Sequence, residues 1–337
     1  MPTPLENFKG LDLANWGSGW PPDSNGDVGP NHYIQAVNTS IGILSKSGTL
    51  QAAFTFDYFF EGTGTPCDGS NRGDPIVLYD SLANRWLIGD FAWTNVDNGP
   101  YYECIAVSKT ADPISGGWWQ YALLAHPTYL NDYPKLAVWS DAYYMSANLF
   151  DLFNGGTGYT WQGVRVWALN RDDMISGAPA VRNVFFDLSP SSGYGSLLPS
   201  HLHGAPPPAG TPNFFASIDE PNLFHLWKFH VDWNTPANST FTGPTDLTVA
   251  NFVMPCDAAN ILACVPQQGG EAVDALGDRL MMQLQYRNIG GVESLWANHT
   301  VANSSVVGHP TGIRWYEIRN PNGTPVVYQQ GTFQPDT

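Results

Sequence analysis

Five polar positions, each at the head of a short apolar run, carry the first hint of chemistry. They are His32 in Asn31-His32-Tyr33-Ile34-Gln35, Asp74 in Gly73-Asp74-Pro75-Ile76-Val77, Asp132 with Tyr133 in Asp132-Tyr133-Pro134-Lys135-Leu136, His203 in His201-Leu202-His203-Gly204, and Asp278 in Gly277-Asp278-Arg279-Leu280-Met281. If these heads converge, Asp74, Asp132 and Asp278 supply the acid and base of a glycosidase or lyase, with Tyr133 or His203 assisting. The same set of histidines and aspartates could hold a divalent cation. An aspartate before a strand also caps turns or pairs with an arginine such as Arg72 or Arg279. His201 and His203 stand two apart, so a strand would put both imidazoles on one face.

A second constellation is Asp23-Ser24-Asn25-Gly26-Asp27. Alternating oxygen side chains in a glycine-containing loop suit Ca²⁺, with Asp23, Asn25 and Asp27 as ligands. No glutamate follows at EF-hand spacing, and an Asx-turn loop is the competing reading. A third is the aromatic content. Trp93, Tyr101, Tyr102 and Trp161 lie in or beside loops, where flat rings stack on sugars. With His32 and Arg287 they form the expected substrate-binding set.

The elements that must position these residues are strands. The heads recur roughly 40 to 75 residues apart, as in propeller blades. Each is followed by runs that alternate β-branched or aromatic residues with small or polar ones, and no segment shows a sustained helical period. Asp172–Ile175 is expected to form a single helical turn. With 34 Gly, 27 Pro and 45 aromatics (13 Trp, 15 Tyr, 17 Phe) in 337 residues, the composition is that of an all-β, turn-rich chain. The fold expected is a β-propeller with four-stranded blades, five of them visible, over 31–337. Residues 1–30 form a lead-in segment that contains the calcium loop. Blade one is expected to begin at His32, and the heads are expected to line one mouth of the channel.

A net charge of −16 and the lack of a Lys/Arg cluster argue against nucleic acid as a partner. No apolar run reaches the ~18 residues of a membrane span. Four cysteines without a C-x-x-C pair predict disulfides of an oxidising compartment, Cys256 with Cys264 and Cys67 with Cys104. No basic and apolar leader opens the sequence, so a secreted protein would have lost its leader. The G-x-S-x-G, H-E-x-x-H, Walker and dinucleotide motifs are absent.

Three stretches together resemble a family of secreted bacterial β-propeller proteins that has no agreed activity. They are Pro21–Tyr33 (PPDSNGDVGPNHY), Asp74–Asp80 (DPIVLYD), and Ala275–Leu280 (ALGDRL) with Gln285–Asn288 (QYRN). The resemblance implies export and a propeller fold, and it assigns no catalytic residue. Members of the family continue past the segment matching Gln329–Phe333 into at least one further blade. It therefore implies six or seven blades, with this chain a shorter member or a truncated piece. The function expected is a secreted carbohydrate-active propeller, cleaving or binding a polysaccharide or glycan. The alternative is a non-catalytic extracellular structural or adhesive protein.

Overall fold

The computed structural model describes residues 3–17, 21–153, 158–256, 263–302 and 311–334. Four antiparallel strands in chain order make each blade. Blade one is β1 (Asn25–Val28), β2 (His32–Val37), β3 (Ser40–Ser45) and β4 (Leu50–Thr55). A short helix, α1 (Phe56–Phe59), leads out of it. Blade two is β5 (Ile76–Asp80), β6 (Arg85–Trp93), β7 (Tyr101–Ser108) and β8 (Trp118–His126). Blade three is β9 (Leu130–Val138), β10 (Ala142–Asp151), β11 (Thr160–Asn170) and β12 (Asn183–Leu188). Blade four is β13 (Leu198–His203), β14 (Asn213–Asp219), β15 (Leu223–His230) and β16 (Thr240–Thr248). A small hairpin, β17 (Ala263–Val265) with β18 (Val273–Asp274), precedes blade five. That blade is β19 (Leu284–Ile289), β20 (Val292–Ala302), β21 (Thr311–Arg319) and β22 (Val326–Phe333). The protein is an all-β propeller, with five four-stranded blades among the described residues.

The expected helical turn is α2 (Arg171–Ser176) between β11 and β12. Asn170 caps it by accepting from the Asp173 N–H, and Gly177 ends it at φ 74°. A Cβ at Gly177 would lie 2.5 Å from the Trp119 ring, so the left-handed stop and the packing both require glycine there.

Large side chains fill the seams between blades. Trp86, Trp139, Trp167 and Trp227 are fully buried there. Trp139 meets Phe214 and Tyr286 edge-on, and Tyr144 meets Phe229 edge-on. The lead-in at residues 3–17 lies along blade one. Leu11 N–H donates to Gln35 Oε1, and Ser40 Oγ donates to the Trp16 carbonyl.

Neighbouring inner strands fan apart, so their edges cannot all pair as backbone ladders. Unpaired edge N–H groups need other acceptors. Asn25 Oδ1 accepts from Val77 N–H at 3.0 Å, and Asp27 Oδ2 from Tyr79 N–H at 2.8 Å, joining β1 to β5. Asp74 Oδ2 accepts from Tyr133 N–H at 3.2 Å, joining blade two to blade three. His201 Nδ1 accepts from Val138 N–H at 3.1 Å, joining β13 to β9. Among the described inner strands, only β13 and β19 pair directly, in parallel, from Ser200 opposite Leu284 to His203 opposite Arg287. The first and last blades meet where Asn25 Nδ2 contacts Met282 Sδ at 3.5 Å.

Blade one corrects an expectation. Its innermost strand is Asn25–Val28, so Asn25 and Asp27 lie in the first blade and not in a loop of the lead-in. His32 consequently sits on the second strand. The polar alternation that reads as a calcium loop is also what a channel-lining edge strand needs. Blade four likewise starts earlier than expected, at Leu198, so His203 ends its inner strand instead of heading it.

Both expected disulfides are present, Cys67 to Cys104 and Cys256 to Cys264. No helix among the described residues is long and apolar enough to cross a membrane.

Candidate active site at the channel mouth

Where blades one, two and three enter the channel, the chain makes the same unusual move. Asp23, Asp74 and Tyr133 take left-handed φ of 40°, 51° and 55°. Ser196 and Leu276 repeat it before the inner strands of blades four and five, at 50° and 44°. For side chains other than glycine this costs of order 1–3 kcal/mol each, so the surroundings must hold them.

Those holding groups are visible. Asn38 bridges two blades. Its Nδ2 donates to Asp23 Oδ2 at 2.5 Å, and its Oδ1 accepts from Asp74 N–H at 3.1 Å. A Cβ at Gly73 would lie 2.8 Å from that Oδ1, so the approach depends on glycine. Tyr133 is held by cations, with Lys135 Nζ 3.4 Å from its ring centre and Arg279 Cζ 4.6 Å away. Arg279 grips Asp278 through two bonds of 2.7 Å, and Lys135 Nζ donates to the Pro134 carbonyl at 2.8 Å.

The mouth therefore gathers Asp23, Asp74, Asp132 and Asp278 around Lys135 and Arg279. Burial pushes the Asp74 carboxyl up, and the charges of Asp132 and Asp23 push it further. Burial also raises Asp132, but Arg279 and Lys135 oppose the rise and favour its ionised form. Burial lowers the Lys135 ammonium, while Asp74 and Asp132 help keep it charged. Tyr133 is pushed up to about 12, mainly by burial, and stays a neutral phenol. Burial thus raises both neighbouring carboxyls, Asp74 to about 7, with Arg279 and Lys135 working against the rise at Asp132.

Aromatic rings border this cluster. Tyr159 is 58 % exposed, stacks on Phe150 at 4.3 Å, and feels the charges of Asp132 and Asp74. Trp161 meets Phe150 edge-on at 5.2 Å. On the blade-two side Trp93 lies under Arg72, whose Cζ is 5.2 Å from the ring centre.

Of the expected catalytic set, Asp74, Asp132, Tyr133 and Asp278 meet at the mouth, and His203 does not. It lies further along the channel, with Nε2 2.6 Å from Gln283 Oε1 and its charge felt by Asp27. Its ring centre is 4.7 Å from that of His201, but His201 is fully buried, committed to Val138, and held down to about 3 by burial. His32 is on β2, within electrostatic reach of Asp112 in the loop after β7. Tyr101 is fully buried and donates to the Val96 carbonyl at 2.6 Å, so it is core and not a sugar platform. Tyr102, one residue on, packs beside the core shared with blade one. Arg287 is on β19 opposite His203, away from the mouth. Trp161 packs on Phe150 beside Tyr159, and Trp93 lies under Arg72, two residues before Asp74.

Of the expected calcium ligands, Asp23 is at the mouth, whereas Asn25 and Asp27 direct oxygens to β5 amides. Among the described residues no three His, Cys, Asp or Glu side chains converge as a metal cage. Lys135 and Asn38 are additions that sequence reasoning missed, whereas Arg279 was expected as a partner of a blade-head aspartate and Tyr159 as a loop aromatic. A lysine inside the run Tyr133-Pro134-Lys135-Leu136-Ala137-Val138 was the available signal, because a charged residue is rare in an otherwise apolar inner strand.

No family model matches the chain, and no curated protein does. Among solved structures the chain is similar to an α-L-arabinanase from Cellvibrio cellulosa complexed with arabinohexaose, at 12 % identity over 90 % of this chain and 94 % of that one, with a TM-score of 0.35. It is similar to an α-L-arabinofuranosidase from Lactobacillus brevis, at 11 % identity over 93 % and 91 %, with a TM-score of 0.40. It is also similar to an exo-1,5-α-L-arabinanase from a bovine ruminal metagenomic library, at 10 % identity over 91 % and 96 %, with a TM-score of 0.39. Likeness at this distance carries no argument about activity.

Proposed function

We propose that the protein is a secreted carbohydrate-active propeller that hydrolyses a glycosidic bond at the channel mouth. The observation that carries this reading is the pairing of Asp74 and Asp132 on adjacent blades. Burial and the Asp132 and Asp23 carboxylates raise Asp74 to about 7, so it still holds a proton in part of the molecules near neutral pH, whereas Arg279 and Lys135 oppose the rise at Asp132. Asp74 then acts as general acid, and its proton passes to the glycosidic oxygen as the bond to the anomeric carbon breaks. Asp132 acts as the ionised partner, taking a proton from the attacking water or attacking directly, according to the carboxylate separation with substrate bound. Tyr159 offers a face for a sugar ring. Two disulfides fit an oxidising, extracellular setting.

The test is reducing-end release from a panel of neutral polysaccharides by the wild type, Asp74→Asn and Asp132→Asn. Release by the wild type alone supports the reading. Retention of a glycan without cleavage makes the protein a binding module. Neither cleavage nor retention leaves the structural or adhesive alternative.

A further inference from the structure

Beneath the mouth lie two carboxyls of blade two, Asp90 on β6 and Glu103 on β7, both fully enclosed. Asp90 has an evident role, since its Oδ1 accepts from Gly73 N–H at 2.8 Å and fixes the residue before Asp74. Glu103 is less simple. Its Oε2 accepts from Asn131 Nδ2 at 3.0 Å, and Asn131 precedes Asp132 in the chain. Its Oε1 is buried with no hydrogen-bond partner, and so is Asn131 Oδ1. Two side chains that already share one hydrogen bond thus leave one acceptor oxygen each unsatisfied.

An ionised carboxylate can satisfy neither oxygen, because it has no proton to give. Turning the Asn131 amide over only exchanges which oxygens are left bare. One proton on Oε1 makes that oxygen a donor and serves both. We propose that Glu103 carries this proton at neutral pH and donates it to Asn131 Oδ1, closing a cyclic acid–amide pair that makes Glu103 the positioning residue for Asp132. The surroundings favour the neutral acid. Burial raises Glu103 well above the usual carboxylate range, and the charges of Asp90 on β6 and Asp74 before β5 add to it, with only Lys135 on β9 opposing among the charged groups around it. A Cβ at Gly89 would lie 3.1 Å from Oε1, so the pocket closes tightly around it.

The protonation state needs no activity to be measured. Only the effect on catalysis rests on the glycosidase reading. Infrared spectra of the folded protein labelled with ¹³C-glutamate should show a protonated-carboxyl band at neutral pH, retained in Asp74→Asn and lost in Glu103→Gln. Glutamine at 103 can close the same ring as an amide–amide pair, whereas Glu103→Leu leaves Asn131 unpaired. The sign for stability follows from linkage. Glu103 binds its proton more tightly in the folded state, so the wild type loses stability as pH rises above the ordinary glutamate value toward the raised one. Glu103→Gln lacks that loss, so its midpoint should rise relative to the wild type across this range. With a cleaved glycan in hand, Glu103→Gln should keep kcat within about threefold, and Glu103→Leu should lose about 10²-fold in kcat at similar KM. A wild-type spectrum without the glutamate band overturns the proposal, whether or not the variants fold. So does a pH-independent difference between the wild type and Glu103→Gln. A protein with the band but no glycan activity keeps the acid–amide pair and refutes the glycosidase reading.

Discussion

Substituting Arg171 by Met tests what holds blade two against blade three. Asp80 ends β5, the strand that Asp74 leads, and its side chain is completely buried. It accepts from Arg171 Nε at 2.7 Å and Nη2 at 3.2 Å, from Tyr143 OH at 2.8 Å, and from the N–H groups of Leu82 and Ala83 at 2.9 and 3.0 Å. Removing one partner of such a pair costs about 3–5 kcal/mol, because the remaining charge stays buried. Three donors remain on Asp80 in Arg171→Met, which places the loss near about 3 kcal/mol. With an unfolding entropy near ~2.1 cal/mol/K per residue, a chain of this length should lose roughly 4 °C in Tm. The assay is scanning calorimetry of Arg171→Met, Asp80→Asn and the double variant. The double variant should be less destabilised than the sum, since neither charge is left alone. Arg182→Met is the control. Its Asp173 partner forms a pair at 2.8 Å, but Arg182 is 56 % exposed, and the expected change is about 0–1 kcal/mol. A shift of less than about 1 °C in Arg171→Met, or strict additivity, would refute the reasoning about buried charge.

Three further outcomes are expected. The kcat/KM for glycan cleavage should fall as pH rises through the raised value of Asp74, because the general acid loses its proton, and should fall at acid pH as Asp132 is protonated; a flat profile argues against the pair. Asn25→Ala and Asp27→Ala should each destabilise by about 1–3 kcal/mol, because the Val77 and Tyr79 amides lose their acceptors; calorimetry in EDTA and in Ca²⁺ should give equal losses, and a loss confined to Ca²⁺ would establish the calcium site. Replacing Cys67 and Cys104 by Ser should cost about 2–4 kcal/mol, measured by denaturant unfolding, since their bridge ties the loop before blade two to β7.

The sequence by itself determined the strand content, the repeat and the seam composition. Alternation with period 2 and Gly/Pro punctuation are local signals, and tryptophans such as Trp86 and Trp139 have few places to go but the spaces between blades. It also placed Asp74 and Asp132 with Tyr133 near the starts of the inner strands of blades two and three, whereas Asp278 falls in the segment ahead of β19. The structure decided register and partners. Asn25 and Asp27 read equally as cation ligands and as edge-strand clamps, and only the approach of β5 selects the second role. His203 and Arg287 have the right chemistry, but β13 and β19 carry them down the channel, because position along an inner strand depends on where pairing begins. Glu103 and Asn131 are 28 residues apart, and nothing in their local sequence links them. They became a pair because blades two and three fold against each other, and desolvation, which no sequence pattern displays, sets the state of that pair.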